Sequence, residues 1–272
     1  MMIKWGLPIL ILLFFSCNNN VPLVPSDQPA CGMTYQTSDI YFNQEDTIVM
    51  KVKFHFIVDD STKVVDSAAI DEFLRINNAF YSHAQIQFVS IGFCVEYDPE
   101  ESQNMPNFKK FGARHSEPNC LNVFIYSNNQ PYYTGDTKFT VGVASGIGGT
   151  FFAVRENFLR TLTATHEIGH MFGLMHIDVY DGTDGKSIFT GDLVCDTPSA
   201  SSLGTKINYL CQYVGLEKLS SEDKEVLSKN LMSWVHLHCR ELVTHNQIAR
   251  MRWTIHNSLD LRNAIYELRN EL

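Results

Sequence analysis

Positive charge is scarce in this chain: 21 Lys and Arg stand against 30 Asp and Glu, for a formal net charge of −9. That balance argues against non-specific binding to nucleic acid, whose phosphates need a basic surface. A membrane-spanning run is also missing, because the apolar stretch from Leu7 to Phe15 falls well short of the roughly 20 residues a spanning helix needs. The seven cysteines include no Cys-x-x-Cys pair, which leaves thioredoxin-like chemistry and a structural zinc knuckle without support. The glycine-rich stretch Gly142 to Gly149 lacks the Gly-Lys-Ser/Thr ending of a phosphate loop, and reads as a place where a sheet edge can bend.

What is present begins with a targeting segment over 1–16. Lys4 precedes the short apolar run, and Leu13-Phe14-Phe15-Ser16-Cys17 resembles the lipobox of bacterial lipoproteins. The resemblance implies cleavage before Cys17, a lipid on its thiol, and an exported protein at the bacterial outer membrane or cell surface, with simple secretion as the alternative. No basic run flanks this anchor, so lipid and not charge would hold the protein to the membrane. Residues 17–47, with Asn18-Asn19-Asn20 and Pro22, Pro25 and Pro29, read as a tether. The remainder is long enough for one substantial domain or a catalytic domain divided by a cleft, here 48–176 and 177–272.

The chemistry concentrates in Thr165-His166-Glu167-Ile168-Gly169-His170-Met171-Phe172-Gly173-Leu174-Met175-His176. On a helix, His166 and His170 lie one turn apart on one face, where two imidazoles can grip a single Zn²⁺. Glu167 stands beside that face, within reach of a water held there. Gly173 can take a positive φ and end the helix, after which the chain turns back and His176 approaches from another direction. Isolated histidines among Met and Phe are ordinary core residues; three at these spacings with a glutamate are a metal site.

Elsewhere Ile48–Val58 alternates as a half-buried strand in which His55 reads as structural, Asp66 caps a helix to about Tyr81, and Ile86–Phe93 forms the next strand. This order predicts a parallel, helix-covered sheet, α/β (α+β) in class. Asp98–Pro118 reads as loop, Leu121–Tyr126 as a strand, and Asn157–Phe172 as the site helix. Thr150, Phe151, Phe152, Ala153 and Val154 are expected as an edge strand that a substrate peptide can extend, and whose N–H groups can help an oxyanion. The acidic segment with Asp178, Asp181, Asp184, Asp192 and Asp196 does not fit the EF-hand pattern; it can hold Ca²⁺ or stand as a solvated loop, and both readings stay open. Ser220 and Thr244 are expected to cap helices, and a monomer is expected.

The extended histidine motif at 166–176 resembles that of the metzincin zinc endopeptidases. Gly191-Asp192-Leu193-Val194-Cys195-Asp196-Thr197-Pro198, Asn230-Leu231-Met232-Ser233-Trp234, and the run Cys239, Thr244, Gln247, Arg250, Met251 narrow the likeness to the pappalysin-like (peptidase M43-type) branch. The resemblance implies a metzincin-like zincin fold: a twisted mixed sheet with an antiparallel edge strand, an active-site helix, and a mainly irregular or helical C-terminal subdomain. It implies that His166, His170 and His176 bind Zn²⁺, that Glu167 is general base for hydrolysis of internal peptide bonds in a protein or peptide substrate, and that Met232 forms an apolar floor. Many metzincins carry Tyr two residues after this Met; here Trp234 stands there, and an indole cannot ligate zinc as a phenolate does. A surface lipoprotein that only binds peptide in the cleft is the alternative, and Glu167, which a mere binder does not need, counts against it. Cys31-Gly32 resembles a propeptide element whose thiolate takes the open zinc position and keeps the enzyme latent, with an ordinary disulfide as the competing role of Cys31. Cys211–Cys239 is the expected disulfide, bracing the approach to the Met232 turn, and Cys94–Cys120 is a weaker candidate pair.

Overall fold

The first long strand, β1 (Ile48–Val58), is half-buried at its start and fully buried at its end. The change comes from its place in the sheet and from what covers each face. β1 lies between β2 (Ile86–Tyr97) and β3 (Leu121–Tyr126), in a five-stranded sheet that continues to β7 (Phe151–Arg155) and ends at β6 (Gly142–Ala144). Between β3 and the sheet edge, β4 (Tyr132–Thr134) and β5 (Lys138–Thr140) pair separately as a small antiparallel ribbon. The computed structural model describes residues 46–103, 105–127, 132–134, 138–177, 192, 194, 196–198 and 203–266. The targeting segment, Cys17, Cys31, Asp178, Asp181 and Asp184 lie outside the described residues.

The β2–β1, β1–β3 and β3–β7 pairings are parallel, as the β-α-β opening predicts, and only β6 runs antiparallel. One face packs Met50, Val52, Phe54 and Phe56 against α1 (Ala68–Phe80) and the site helix. The other packs Ile57, Phe124, Tyr126 and Ala153 against Phe108 and Phe111. Those two phenylalanines belong to α2 (Phe108–His115), inside the stretch expected to be loop. Its polar composition hides two aromatics one turn apart, enough to bury a short helix on a sheet.

The edge-strand expectation for Thr150–Val154 is overturned. Residues 151–155 pair with β3 on one side and β6 on the other, so their main-chain groups are used inside the sheet. The chain reverses through Ser145–Gly149, and Ser145 N–H donates to Phe151 O at 2.9 Å. The edge is therefore β6, three residues too short and too glycine-rich to show as a strand by composition.

The site helix, α3, spans Leu162–Met171, shorter than expected because Thr161 caps it and a 3₁₀ turn occupies Glu156–Phe158. In the C-terminal part Ser220 caps α4 (Ser221–Lys229), and Thr244 with Gln247 forms a capping box on α5 (His245–Asn257). The chain then returns to the sheet, where Ile265 bridges Met50. Cys211 and Cys239 form the expected disulfide. Cys94 and Cys120 are free. Cys94 lies opposite His55 and Leu121 opposite Val52, so register holds these two cysteines several residues apart along the sheet. No described helix is long and apolar enough to cross a membrane.

Candidate metal centre and active-site cleft

α3 presents His166 and His170 on one face, as their four-residue spacing requires. At its end Phe172 N–H and Gly173 N–H donate to Ile168 O and His170 O, and Gly173 adopts φ +95°. The chain turns there and delivers His176. Its Nε2 comes within 3.0 Å of His166 Nε2 and 3.2 Å of His170 Nε2.

The ring orientations are set from behind. The Nδ1–H of His166 donates to Leu231 O at 2.8 Å and that of His170 to Leu174 O at 2.8 Å, since a carbonyl can only accept. Both Nε2 atoms therefore present lone pairs, and His176 could donate to only one of them. Burial, with Arg240 and the neighbouring rings adding repulsion, holds His166 well below the usual imidazole range. Burial likewise lowers His170 and takes His176 down to about 3. Three neutral ring nitrogens crowd one point, where a hydrogen on His176 could satisfy at most one of the other two and a cation could satisfy all three. Their separations lie close to the ~3.3 Å between nitrogens around a tetrahedral ion bound at 2.0–2.1 Å. The residues fit Zn²⁺.

Glu167 is 6% exposed and lines the same cleft. Burial pushes its carboxyl up to about 8, against the Ala144 N–H and the Arg240 charge, which pull it down. Met232 is fully buried. A Cβ placed on Gly169 would meet its sulfur at 2.8 Å, so the thioether sits directly on the turn that carries His166 and His170. The Met232 turn is itself held by a buried amide pair: Asn230 Nδ2 donates to Gln247 Oε1 at 2.7 Å, and Met232 N–H donates to Asn230 Oδ1 at 2.9 Å.

The cleft encloses about 510 Å³. Its walls include Val141–Ala144 of the true edge, Thr163, Leu237 and Arg240, besides the three histidines and Glu167. Trp234 stands at the mouth, edge-on to His176 with ring centroids 5.8 Å apart. Residues 150–154 do not line it. No local motif marks Arg240, Leu237 or Thr163. For Leu237 and Arg240 the available signal is the likeness of the segment from Asn230 to Met251 as a whole; Thr163, on the site helix, has none.

The two described aspartates of the acidic segment are not gathered at one point. Asp192 accepts from Val194 N–H and the Thr197 hydroxyl, closing its own turn. Asp196 accepts from the Thr244 hydroxyl and Asn246 N–H at the start of α5, where a carboxylate suits the helix N-terminus. Among the described residues neither joins a cluster of potential metal ligands.

The peptidase M43 family model, described as pregnancy-associated plasma protein-A, matches residues 148–256. No curated protein sequence matches the chain. Among solved structures, a mutant of promirolysin from Tannerella forsythia superposes with a TM-score of 0.55 at 18% identity, covering 84% of this chain and 88% of that one. A chaperone–substrate complex (TM-score 0.41, 11% identity, 82% of this chain and 36% of that one) and an archaemetzincin from Methanopyrus kandleri (0.33, 17%, 53% and 83%) superpose too loosely to bear on fold or function. The promirolysin likeness supports the metzincin-like fold, and the match of residues 148–256 to the peptidase M43 family model indicates a zinc metalloendopeptidase.

Proposed function

We propose that the protein hydrolyses internal peptide bonds, with His166, His170 and His176 as zinc ligands and Glu167 as general base. What carries this reading is the meeting of three Nε2 atoms, two of them oriented by Nδ1–H bonds to main-chain carbonyls, in the cleft that also holds Glu167. Bound Zn²⁺ would supply Lewis acidity and lower the pKa of a water toward neutrality. A substrate chain extends the sheet at β6, the edge strand whose residues line the cleft, and lies stretched across it. Glu167 takes the proton from the attacking water at a carboxylate oxygen and passes it to the leaving amine nitrogen, so that one water is consumed and an acid and an amine are released. Met232 and the amide pair behind it keep the histidine-bearing turn rigid. The same reading carries an exported, monomeric protein tethered by a lipid on Cys17, with Cys31 as a latency ligand.

The test is Glu167→Gln in the purified protein, assayed on an unbiased peptide library with and without chelator. Metal content should match the wild type while hydrolysis falls by roughly 10²–10⁴-fold. Undiminished cleavage by the variant overturns the base assignment. A wild type that binds peptides without cutting any would make the protein a binder.

A further inference from the structure

We propose that His55, Cys94 and Glu96 form a second transition-metal site, of the kind that takes Zn²⁺, on the sheet face opposite the one packed by α3. It is independent of the catalytic reading.

The site is made by an irregularity in β2. Val52 pairs with Ser90 but Phe54 pairs with Phe93, so one extra residue is inserted in β2 near Gly92, which has φ +110°. A one-residue shift exchanges the two faces of a strand. Before the bulge Ile86 and Phe88 point into the core beneath α1; after it Phe93 meets Phe56 on that side. Cys94 and Glu96 are thereby turned to the other face, beside His55. With regular pairing, Cys94 would have faced away from that histidine.

Three different donor atoms then meet. His55 Nδ1 lies 3.2 Å from Cys94 Sγ and 3.2 Å from Glu96 Oε1, and Cys94 Sγ lies 3.8 Å from that oxygen. Ligands around one tetrahedral zinc, at 2.3 Å for sulfur and 2.0–2.1 Å for nitrogen or oxygen, stand about 3.3–3.6 Å apart. The thiol and imidazole select a borderline-soft ion over Ca²⁺ or Mg²⁺.

The tautomer is fixed by an outer partner. Asn122 Oδ1 accepts Glu117 N–H at 2.8 Å, while Asn122 Nδ2 donates to the carbonyls of Glu117 and Cys120. This amide cannot be flipped, so the oxygen that lies 2.9 Å from His55 Nε2 is an acceptor and Nε2 carries hydrogen. In the neutral ring, Nδ1 then aims its lone pair between a thiol and a carboxylate, an arrangement typical of metal-ligating histidines. Stacking on Phe124, with centroids 4.5 Å apart, holds the ring in plane. The second oxygen of Glu96 is held by His115 Nδ1 at 2.9 Å. Cys94 and Glu96 are partly exposed, which leaves an entry path and room for a water ligand.

The experiment is titration of the chelator-stripped full chain with Co²⁺, in a Cys31→Ser background that removes the proposed latency thiolate from the catalytic centre and serves as the wild type for the comparisons below, followed in the near ultraviolet where thiolate-to-cobalt charge transfer absorbs. The wild type should bind two ions per chain and show that band. Cys94→Ser should bind one and lose the band; His176→Ala should lose the other ion and keep it. Glu96→Gln, which leaves the thiol in place, should weaken the band-forming site at least tenfold, and guards against a misfolded Cys94→Ser. A single ion in the wild type, or a band that survives Cys94→Ser, overturns the proposal. So does a band lost with His176→Ala alone, which would move the thiolate to the catalytic centre. One ion with no band would leave the cluster a protonated imidazole–carboxylate pair and also overturns it.

Discussion

The Nδ1–H of His166 donates to the main-chain oxygen of Leu231 at 2.8 Å, joining two points 65 residues apart in sequence. Through it the turn at 230–234 orients the His166 ring on α3. That turn depends on Asn230, whose amide spans Gln247 and Met232 N–H. Asn230→Ala removes the acceptor of the buried Gln247 Nε2, while Gln247 Oε1 keeps the Thr244 N–H. We expect a stability loss of about 1–3 kcal/mol and a zinc affinity 10–100-fold weaker, as for other residues that orient a ligand. Competition with a chromogenic chelator reads the affinity, and excess zinc should restore much of the lost turnover. Unchanged affinity would mean the turn serves packing alone.

Gly173 is where the helix ends and the chain turns toward His176. Its φ of +95° is strained for any side chain, and an added Cβ would lie 2.2 Å from Thr254 Oγ1. Gly173→Ala should lower stability by roughly 1–3 kcal/mol and weaken zinc binding together with it, because the same bend aims His176. Thermal unfolding with and without chelator measures both. A variant as stable and as tight as wild type would mean that the bend tolerates a side chain.

Burial pushes the Asp192 carboxyl up to about 6, against its hydrogen bonds from Thr197 and Val194 and the charge of Arg250. One oxygen is buried with no hydrogen-bond partner among the described residues. For an acid whose folded pKa is raised, the native state binds the proton more tightly, so stability falls as pH climbs from about 4 through about 6. Asp192→Asn should flatten that window and make the metal-stripped protein more stable at pH 7, by on the order of 1–3 kcal/mol. Chemical denaturation across pH 4–8 tests the sign; an asparagine variant that is less stable at pH 7 contradicts it.

Arg240 places a positive charge in the wall of the cleft, where it already pulls on Glu167 and repels protons from the histidines. A substrate side chain entering there should be favoured when acidic. Paired peptides differing only in Glu or Gln near the cleaved bond should differ by roughly tenfold in kcat/KM, and Arg240→Gln should erase most of that ratio. Because the readout is a ratio, general loss of activity cancels from it. Equal cleavage of both peptides by the wild type would exclude a role for this charge.

The zinc-binding stretch was readable because its information is local. Four residues of helix set His166 against His170, and one glycine three residues on turns the chain toward His176. Strands Ile48–Val58 and Leu121–Tyr126, the caps at Ser220 and Thr244, and the Cys211–Cys239 bridge were readable for the same reason or through family likeness. The edge strand was misplaced because an edge is a relation between strands: Phe151–Arg155 has the composition of a strand, and only its pairing on both sides makes it interior.

The sequence by itself determined that His166 and His170 share a helix face, that the chain turns after Gly173 toward His176, that Glu167 stands beside them, and that the sheet is largely parallel, since each follows from spacing along a helix or from alternation along a strand. Tertiary structure alone decided that β6 faces the cleft, that Arg240 enters it, and that a bulge near Gly92 brings Cys94 and Glu96 to His55. Those outcomes depend on register between strands and on contacts across tens of residues, and no short window of residues contains them.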